Sequence, residues 1–275
     1  MTLKAQQRHP IAFLVLLLVG AVYFFPMASM LLASIKPSNE IFDTRSIIPT
    51  AIRFENYVDA VTEIPFLTYL KNTVLIATGC VLGIVFSVTL TGYGFSRIPW
   101  RGRDVVFYIV LSSMMIPFFV TVIPLFTLYV RIGLTNTLWP LIIPAWFGNP
   151  FYIYIMREFF KTIPMSFSES AYMDGASEWQ VFSRICVPLV RLPIIVCALL
   201  EIMFIWQDFL RPVIFLNSQS KYTLSIGLQQ FFSLRGALWG PMMAAAALVT
   251  LPLVILYFTS QRYFISGITM TGLKG

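Results

Sequence analysis

The chain has 275 residues, 58% of them hydrophobic and only 11% charged, with a mean hydropathy of +0.80. That balance excludes a water-soluble enzyme and places the chain among membrane proteins. The net charge of +7 comes from Lys and Arg that mostly flank apolar runs, a pattern that orients spans and does not bind nucleic acid.

A bilayer core of ~30 Å needs about 20 helical residues at about 1.5 Å rise each. Six runs reach that length: Ile11–Ile35, Asn72–Ser96, Val105–Val130, Leu138–Phe160, Leu192–Phe209 and Trp239–Ser260. They are long and unbroken, not short and alternating, so they predict an all-α polytopic membrane protein with six transmembrane helices and exclude a β-barrel. The first run is expected to be a retained span. It exceeds a signal peptide's apolar core and continues through Pro26 to Ile35 without a convincing cleavage site. Arg97, Arg101 and Arg103 crowd one short connection and fix the orientation by the positive-inside rule. Both termini, and the segment around Gly175, are then cytoplasmic.

The outside segment from Lys36 to Lys71 carries Glu40, Asp43, Glu55, Asp59 and Glu63 and is punctuated by Pro37, Pro49 and Pro65. It reads either as a polar surface loop or as a docking surface for an external partner. Pro26, Pro117, Pro124, Pro140, Pro144, Pro150, Pro212, Pro241 and Pro252 lie in or beside spans, where each interior one removes a helix hydrogen bond and favours a kink. Gly79, Gly83, Gly92 and Gly94 in the second span, and Ala244 to Ala247 in the sixth, are small residues suited to close helix packing.

The cytoplasmic connection 161–191 concentrates charge, with Glu169, Asp174, Glu178, Arg184 and Arg191 close together. Ser166-x-x-Glu169 and Ser177-x-x-Gln180 each fit a capping box, in which a hydroxyl and a carboxyl or amide satisfy free N–H groups at a helix start. Asp174-Gly175 between them predicts a turn. Trp179, Phe182 and Ile185 then share a face of a second helix, which Pro188 and Pro193 limit.

Glu201 lies well inside the fifth span, where an unpartnered carboxylate costs on the order of 2.5–3.5 kcal/mol. It is expected to face the bundle interior or a wet cavity. Asn149, Gln207 and Asp208 are further polar groups near spans, and Trp146, Tyr152 and Trp206 offer aromatic faces of the kind a sugar path uses. Structural hydrogen bonding within the bundle accounts for each of them equally well. Cys80, Cys186, Cys197 and the lone His9 have no metal-type spacing, so neither a metal centre nor a structural disulfide is expected. There is no Gly-x-x-x-x-Gly-Lys-Ser/Thr phosphate loop and no nucleophile–base set, so the chain is neither an ATPase nor another enzyme. Energy for any pumping must come from another protein.

Glu169-Ser170-Ala171, three residues, Gly175, nine residues, Ile185, one residue and Val187-Pro188 follow a known register. It resembles the Glu-Ala-Ala loop in membrane (permease) subunits of binding-protein-dependent carbohydrate ABC importers, the maltose-type sugar permease family. Ser170 replaces an Ala and Val187 a Leu. Asn56-Tyr57, Phe66, Tyr69-Leu70, Asn72, Trp206-Gln207-Asp208-Phe209-Leu210, Tyr222-Thr223-Leu224, Gly227-Leu228-Gln229 and the tail from Gly267 to Gly275 extend the resemblance over nearly the whole chain. Gln207 stands where that family has Asn.

The resemblance implies a type I ABC importer transmembrane domain, one permease domain over 1–275, in the cytoplasmic (inner) membrane of a bacterium or archaeon. It implies a second permease subunit, commonly a different chain, two cytoplasmic ATPase subunits that hold ATP and Mg, and an extracytoplasmic binding protein that delivers a sugar. Glu169, Ser170, Ala171, Asp174, Gly175 and Ala176 would form the coupling helix that enters the ATPase. Trp179, Phe182 and Pro188 would anchor the loop. Asn149, Glu201, Trp206, Gln207 and Asp208 would border the solute path. The first outside loop and Asn217–Leu238 would meet the binding protein, and the tail would approach the ATPases. Two alternatives stay open: the same architecture carrying a polyol or glycerol phosphate, and an ion-coupled carrier built on Glu201, against which stands the lack of an evident inverted repeat.

Overall fold

The computed structural model describes residues 10–43, 49–233 and 236–271. Its helices are, in chain order, α1 (Pro10–Ser34), α2 (Glu55–Thr62), α3 (Phe66–Ser96), α4 (Arg103–Ser112), α5 (Phe118–Arg131), α6 (Trp139–Ile142), α7 (Pro150–Lys161), α8 (Met165–Met173), α9 (Glu178–Gln180), α10 (Val187–Leu189), α11 (Arg191–Gln207), α12 (Leu210–Phe215), α13 (Leu224–Gln229) and α14 (Trp239–Thr271). A two-residue antiparallel hairpin, β1 (Phe232–Ser233) with β2 (Gly236–Ala237), precedes the last helix.

Three stretches are long and apolar enough to cross a membrane as single helices: Ile11–Ser34, Phe66–Ser96 and Trp239–Gln261. Two more qualify as bent pairs, Arg103–Met115 with Phe118–Arg131 at 96° and Glu178–Leu189 with Arg191–Gln207 at 73°. The bend in the first pair has a local cause. Ile116 precedes a proline and is extended (φ −78°, ψ 117°), because the proline ring clashes with a helical residue before it, and α5 restarts after Pro117.

The stretch 138–160, expected as one continuous span, is divided. After α6 come a 3-10 turn over Ile143–Phe147, Gly148 at φ +85°, and an extended Asn149. Pro150 then opens α7, in the first helical position that a ring without an N–H tolerates. Hydropathy does not register such a break, since the residues around it are themselves apolar. The other expected ends shift as well: α3 begins at Phe66 and not Asn72, α11 stops at Gln207, and α14 runs on to Thr271.

The chain forms two compact units. Met1–Ile64 joins Leu228–Pro252, and Pro65–Gly227 joins Leu253–Gly275. In the first unit, buried Asn56 donates from Nδ2 to the carbonyls of Ser34 and Lys36, both at 2.9 Å. Gly240 lies so close that a Cβ there would meet Asn56 Oδ1 at 2.8 Å. Phe42 and Phe232 set their edges against the Trp239 ring at 4.9 and 5.3 Å. Glu40 accepts from Thr50 N–H at 3.1 Å and from its hydroxyl, and these bonds hold the carboxyl below its ordinary pKa. Apolar side chains of α1 from Ile11 to Phe25 stay exposed on all sides, as a helix solvated by lipid allows.

The second unit is built around α3. In a bilayer, helices gain little by hiding apolar surface from one another, so close van der Waals packing and internal hydrogen bonds hold them. Glycines on α3 permit that closeness: a Cβ at Gly83 would sit 2.6 Å from the Trp146 ring, and one at Gly92 would sit 2.6 Å from Met156 Cβ. Buried Ile76, Cys80, Ile84 and Val88 of α3 continue the same core with Leu141, Met156 and Phe160. Two buried polar groups near the start of α3 tie down the loop that follows α12. Asn72 Nδ2 donates to Ser220 and Tyr222 carbonyls at 3.0 and 2.9 Å, and Thr73 Oγ1 accepts from Leu224 N–H at 3.0 Å.

Candidate functional site

Local chemistry shapes the segment with the Glu-Ser-Ala register. Pro164, extended at ψ 140°, is the N-cap of α8, and no side chain caps this start. Ser166 therefore lies inside the first turn, and the expected Ser166–Glu169 capping box does not begin this helix. The other end behaves as the Asp174-Gly175 pair predicts. Gly175 adopts φ +80°, its N–H donates to Tyr172 O at 3.0 Å, and Ala176 N–H donates to Ala171 O at 2.9 Å. This pair of bonds is a Schellman closure, which needs a left-handed residue that glycine supplies without strain. The next helix starts with the predicted box: Gln180 N–H donates to Ser177 Oγ at 3.3 Å, and Ser177 N–H donates to Gln180 Oε1 at 2.7 Å.

Beyond that start the helix loosens into a π turn over Val181–Cys186, a rare form often found where helices do functional work. Cys186, like Cys80 and Cys197, is a buried free thiol.

The two faces of α8 differ. Ser168 and Ala171 are buried, whereas Glu169, Ser170, Asp174 and Gly175 are exposed, Ala176 is half-buried, and Met173 is 89% exposed. The buried face is held by α3 and the residue just after it. Arg97, itself buried, donates from Nη1 to Ile163 O at 2.7 Å and from Nη2 to Ser168 Oγ at 2.8 Å and Pro164 O at 3.4 Å. Tyr93, 3% exposed, donates its phenolic proton to Glu178 Oε1. Tyr172, in the last turn of α8, donates to Glu178 Oε2 at 2.5 Å. The Glu178 carboxylate pushes the Tyr172 phenol above its ordinary pKa, with partial desolvation adding to the effect.

Phe182 is buried with its ring 4.9 Å from that of Tyr93. Trp179 contacts Phe182 at 5.2 Å and remains 62% exposed. Pro188 is exposed at the rim of a cavity of about 340 Å³ shared with Phe159, Thr162, Ile163 and Leu192. Of the expected anchors, Phe182 is the one that enters the core.

A second cationic tie braces the neighbouring helices. The Arg157 guanidinium lies 3.9 Å from the Phe107 ring centre, pairs with Asp104 at 2.7 Å and Glu158 at 3.0 Å, and donates to Phe95 O at 3.3 Å. Planar, always-charged guanidinium groups suit such multi-point ties at a helix end.

The residues expected along a solute path are dispersed. Glu201 on α11 and Tyr152 on α7 are both buried. Asp208 pairs with Arg211 at 2.5 Å, and its carbonyl accepts from Ser225 Oγ at 2.7 Å. Exposed Gln207 lines a cavity of about 470 Å³ with Met203, Phe204 and Asp208. Trp206 turns away to a cavity of about 290 Å³ with Val74, Ala77 and Ile202. Exposed Asn149 caps α7, its Oδ1 accepting from Phe151 N–H at 2.9 Å. Among the described residues no group of three His, Cys, Asp or Glu side chains could hold a metal ion. The tail residues 272–275, and the side chains of 262–271, lie outside the described residues.

Sequence reading missed Tyr93, Arg97 and Tyr172 as parts of this site. Arg97 carried a signal, being one of three arginines in a short connection, but it was assigned to orientation alone. Tyr93 lies far from Glu178 in sequence, so only the packed fold pairs them.

The pattern of the family described as binding-protein-dependent transport system inner membrane component matches residues 79–270. The chain is 32% identical to the arabinooligosaccharides transport system permease protein AraQ of Halalkalibacterium halodurans, over 94% of this chain and 93% of that protein. It is 30% identical to the maltose/maltodextrin transport system permease protein MalG of Photorhabdus laumondii, over 93% and 92%. Its fold matches a chain in the crystal structure of a bacterial ABC transporter involved in the import of the acidic polysaccharide alginate. That match has a TM-score of 0.81 at 23% identity and covers 96% of this chain and all of the other. The chain therefore belongs to the family of inner-membrane components of binding-protein-dependent transport systems.

Proposed function

We propose that this chain is the transmembrane permease subunit of an ATP-driven importer that takes a sugar or oligosaccharide from an extracytoplasmic binding protein into the cytoplasm. Relatives named for arabino-oligosaccharide and maltodextrin transport, aligned over more than nine tenths of this chain, support the cargo class. The coupling role rests on one observation. A helix closed at its C-terminus by a glycine turn presents Glu169, Ser170, Asp174 and Gly175 outward while Arg97 holds its other face to the end of α3.

In this reading two cytoplasmic ATPase subunits, which bind ATP and Mg, receive the exposed face of α8. Small Gly175 admits close backbone approach, and the two carboxylates pair with basic groups. Closure of the ATPases displaces α8, and the displacement passes to α3 and the helices packed on it. Access at the membrane midplane then alternates by rigid-body rocking against a second permease subunit. Both termini lie in the cytoplasm, and the outside loops, 36–71 among them, meet the binding protein. Glu201 with Tyr152, and the Asp208–Arg211 pair, border the path as structural polar groups.

The test is uptake into proteoliposomes holding the co-purified complex, with labelled arabino-oligosaccharide, maltodextrin and glycerol phosphate as cargoes. Uptake of a neutral oligosaccharide that requires both ATP and binding protein is expected. Uptake of glycerol phosphate alone, or uptake driven by an ion gradient without ATP, would contradict the proposal.

A further inference from the structure

We infer that Glu178 is a positioning residue that makes helix α8 and the end of α3 move as one piece, each of its carboxylate oxygens accepting one tyrosine phenol. The inference rests on the permease reading above and adds to it the joint through which displacement passes. The helix α8 has only nine residues, and its start carries no side-chain cap. Arg97 holds its beginning, through Ile163 and Ser168. Its other end leads into a turn at Gly175 where nothing lies within 4 Å of a would-be Cβ. Two backbone hydrogen bonds close that turn, from Gly175 N–H to Tyr172 O and from Ala176 N–H to Ala171 O, and a push on the exposed face would load them alone unless a side chain also spans it.

Glu178 spans it. Tyr172, before the turn, donates to Oε2 at 2.5 Å, and Glu178 lies just after the turn, at the start of α9. The other oxygen, Oε1, accepts from Tyr93 of α3. The carboxylate thus closes a ring of side chains across the glycine turn and fastens that ring to the second span. Because each phenol has its own oxygen, the two bonds do not compete, and both are charge-assisted. Tyrosine suits the task, since a rigid ring with few rotatable bonds fixes its reach. The Tyr93 ring is further held edge-on by Phe160 at 5.5 Å and Phe182 at 4.9 Å, so its hydroxyl is the part left to reach outward. The ordinary alternative is that these bonds merely stabilise the loop, which would leave the conversion of ATP into transport untouched.

The experiment measures solute molecules imported per ATP hydrolysed by the complete complex in proteoliposomes, beside its thermal midpoint. The variants are Glu178→Ala, Glu178→Gln, Tyr93→Phe, Tyr172→Phe, the double Phe variant, and the double Phe variant carrying Glu178→Ala. Glu178→Ala is expected to lower the ratio about tenfold, within the range of ordinary coupling free energies. The double Phe variant should fall equally far, and adding Glu178→Ala to it should change nothing more, since all three groups act as one unit. Glu178→Gln, which keeps the shape and one acceptor, should recover part of the ratio. If the native complex is coupled and Glu178→Ala leaves the ratio unchanged, or moves the midpoint alone, the joint is refuted and the permease reading survives. A native complex that imports nothing on ATP overturns the reading and the joint with it.

Discussion

Arg97 and Ser168 meet through a 2.8 Å hydrogen bond from Nη2 to Oγ, both side chains being buried, and the same guanidinium reaches Ile163 O at 2.7 Å. One cation just past the end of α3 therefore sets where helix α8 begins, in place of a side-chain N-cap. Replacing Arg97 with Ala strips partners from a buried carbonyl and hydroxyl. The expected loss is about 1.5–3 kcal/mol, the value of hydrogen bonds to a charged group. Arg97→Lys should recover only part, because an ammonium lacks the planar fork. A fall in the thermal midpoint, with faster amide exchange over 163–170, checks this.

Gly92 and Gly94 lie on the same turn of α3 and should respond oppositely to alanine. A Cβ at Gly92 would stand 2.6 Å from Met156 Cβ and 3.1 Å from the Arg157 backbone nitrogen, whereas one at Gly94 meets nothing within 4 Å. Gly92→Ala forces α3 and α7 apart at a cost of about 1–3 kcal/mol. Gly94→Ala should gain about 0.5–1 kcal/mol by restricting the unfolded chain and improving helix propensity. Thermal midpoints of the two variants, measured side by side, decide the matter.

Tyr172 supplies a pH dependence with a definite sign. The pKa of its phenol is raised above the ordinary value because the Glu178 carboxylate accepts a hydrogen bond from it. A group whose folded pKa is raised contributes stability that is complete below its unfolded pKa, about 10 for tyrosine, and lost as pH climbs through the folded value. The loop should thus stay clamped through neutral pH and loosen only in alkali. Phenolate absorbance followed against pH should show Tyr172 titrating closer to the ordinary value in Glu178→Gln.

Much of the segment 161–191 was legible because its signals are local. The Ser177 box and the left-handed Gly175 each depend on residues within one turn, and both formed as expected. Ser166–Glu169 misled for an equally local reason: Pro164 takes the cap position and starts the helix earlier. The breaks at Pro117 and Gly148–Pro150 were marked by prolines, yet hydropathy averages over them. Which proline kinks and which divides a helix depends on the residues before it. The polar pairs Tyr93–Glu178 and Asp104–Arg157 join residues far apart in sequence, and periodicity holds no record of such pairing. Asn149, expected beside the solute path as a polar group near a span, also caps α7.

In the proposed function, the exposed face around Gly175 receives the energy of a partner ATPase. The most direct test is ATP hydrolysis by the assembled complex, with and without loaded binding protein, for the native chain and for Gly175→Asn. Asparagine accepts a left-handed backbone and its Cβ would meet no atom within 4 Å at this exposed position, so the fold and thermal midpoint should hold while a side chain now stands on the docking face. Loaded binding protein should stimulate the native complex, and Gly175→Asn should fall toward the unstimulated rate. Full stimulation of Gly175→Asn with its ATPase still bound, or a native chain that retains no ATPase, would contradict the proposed function.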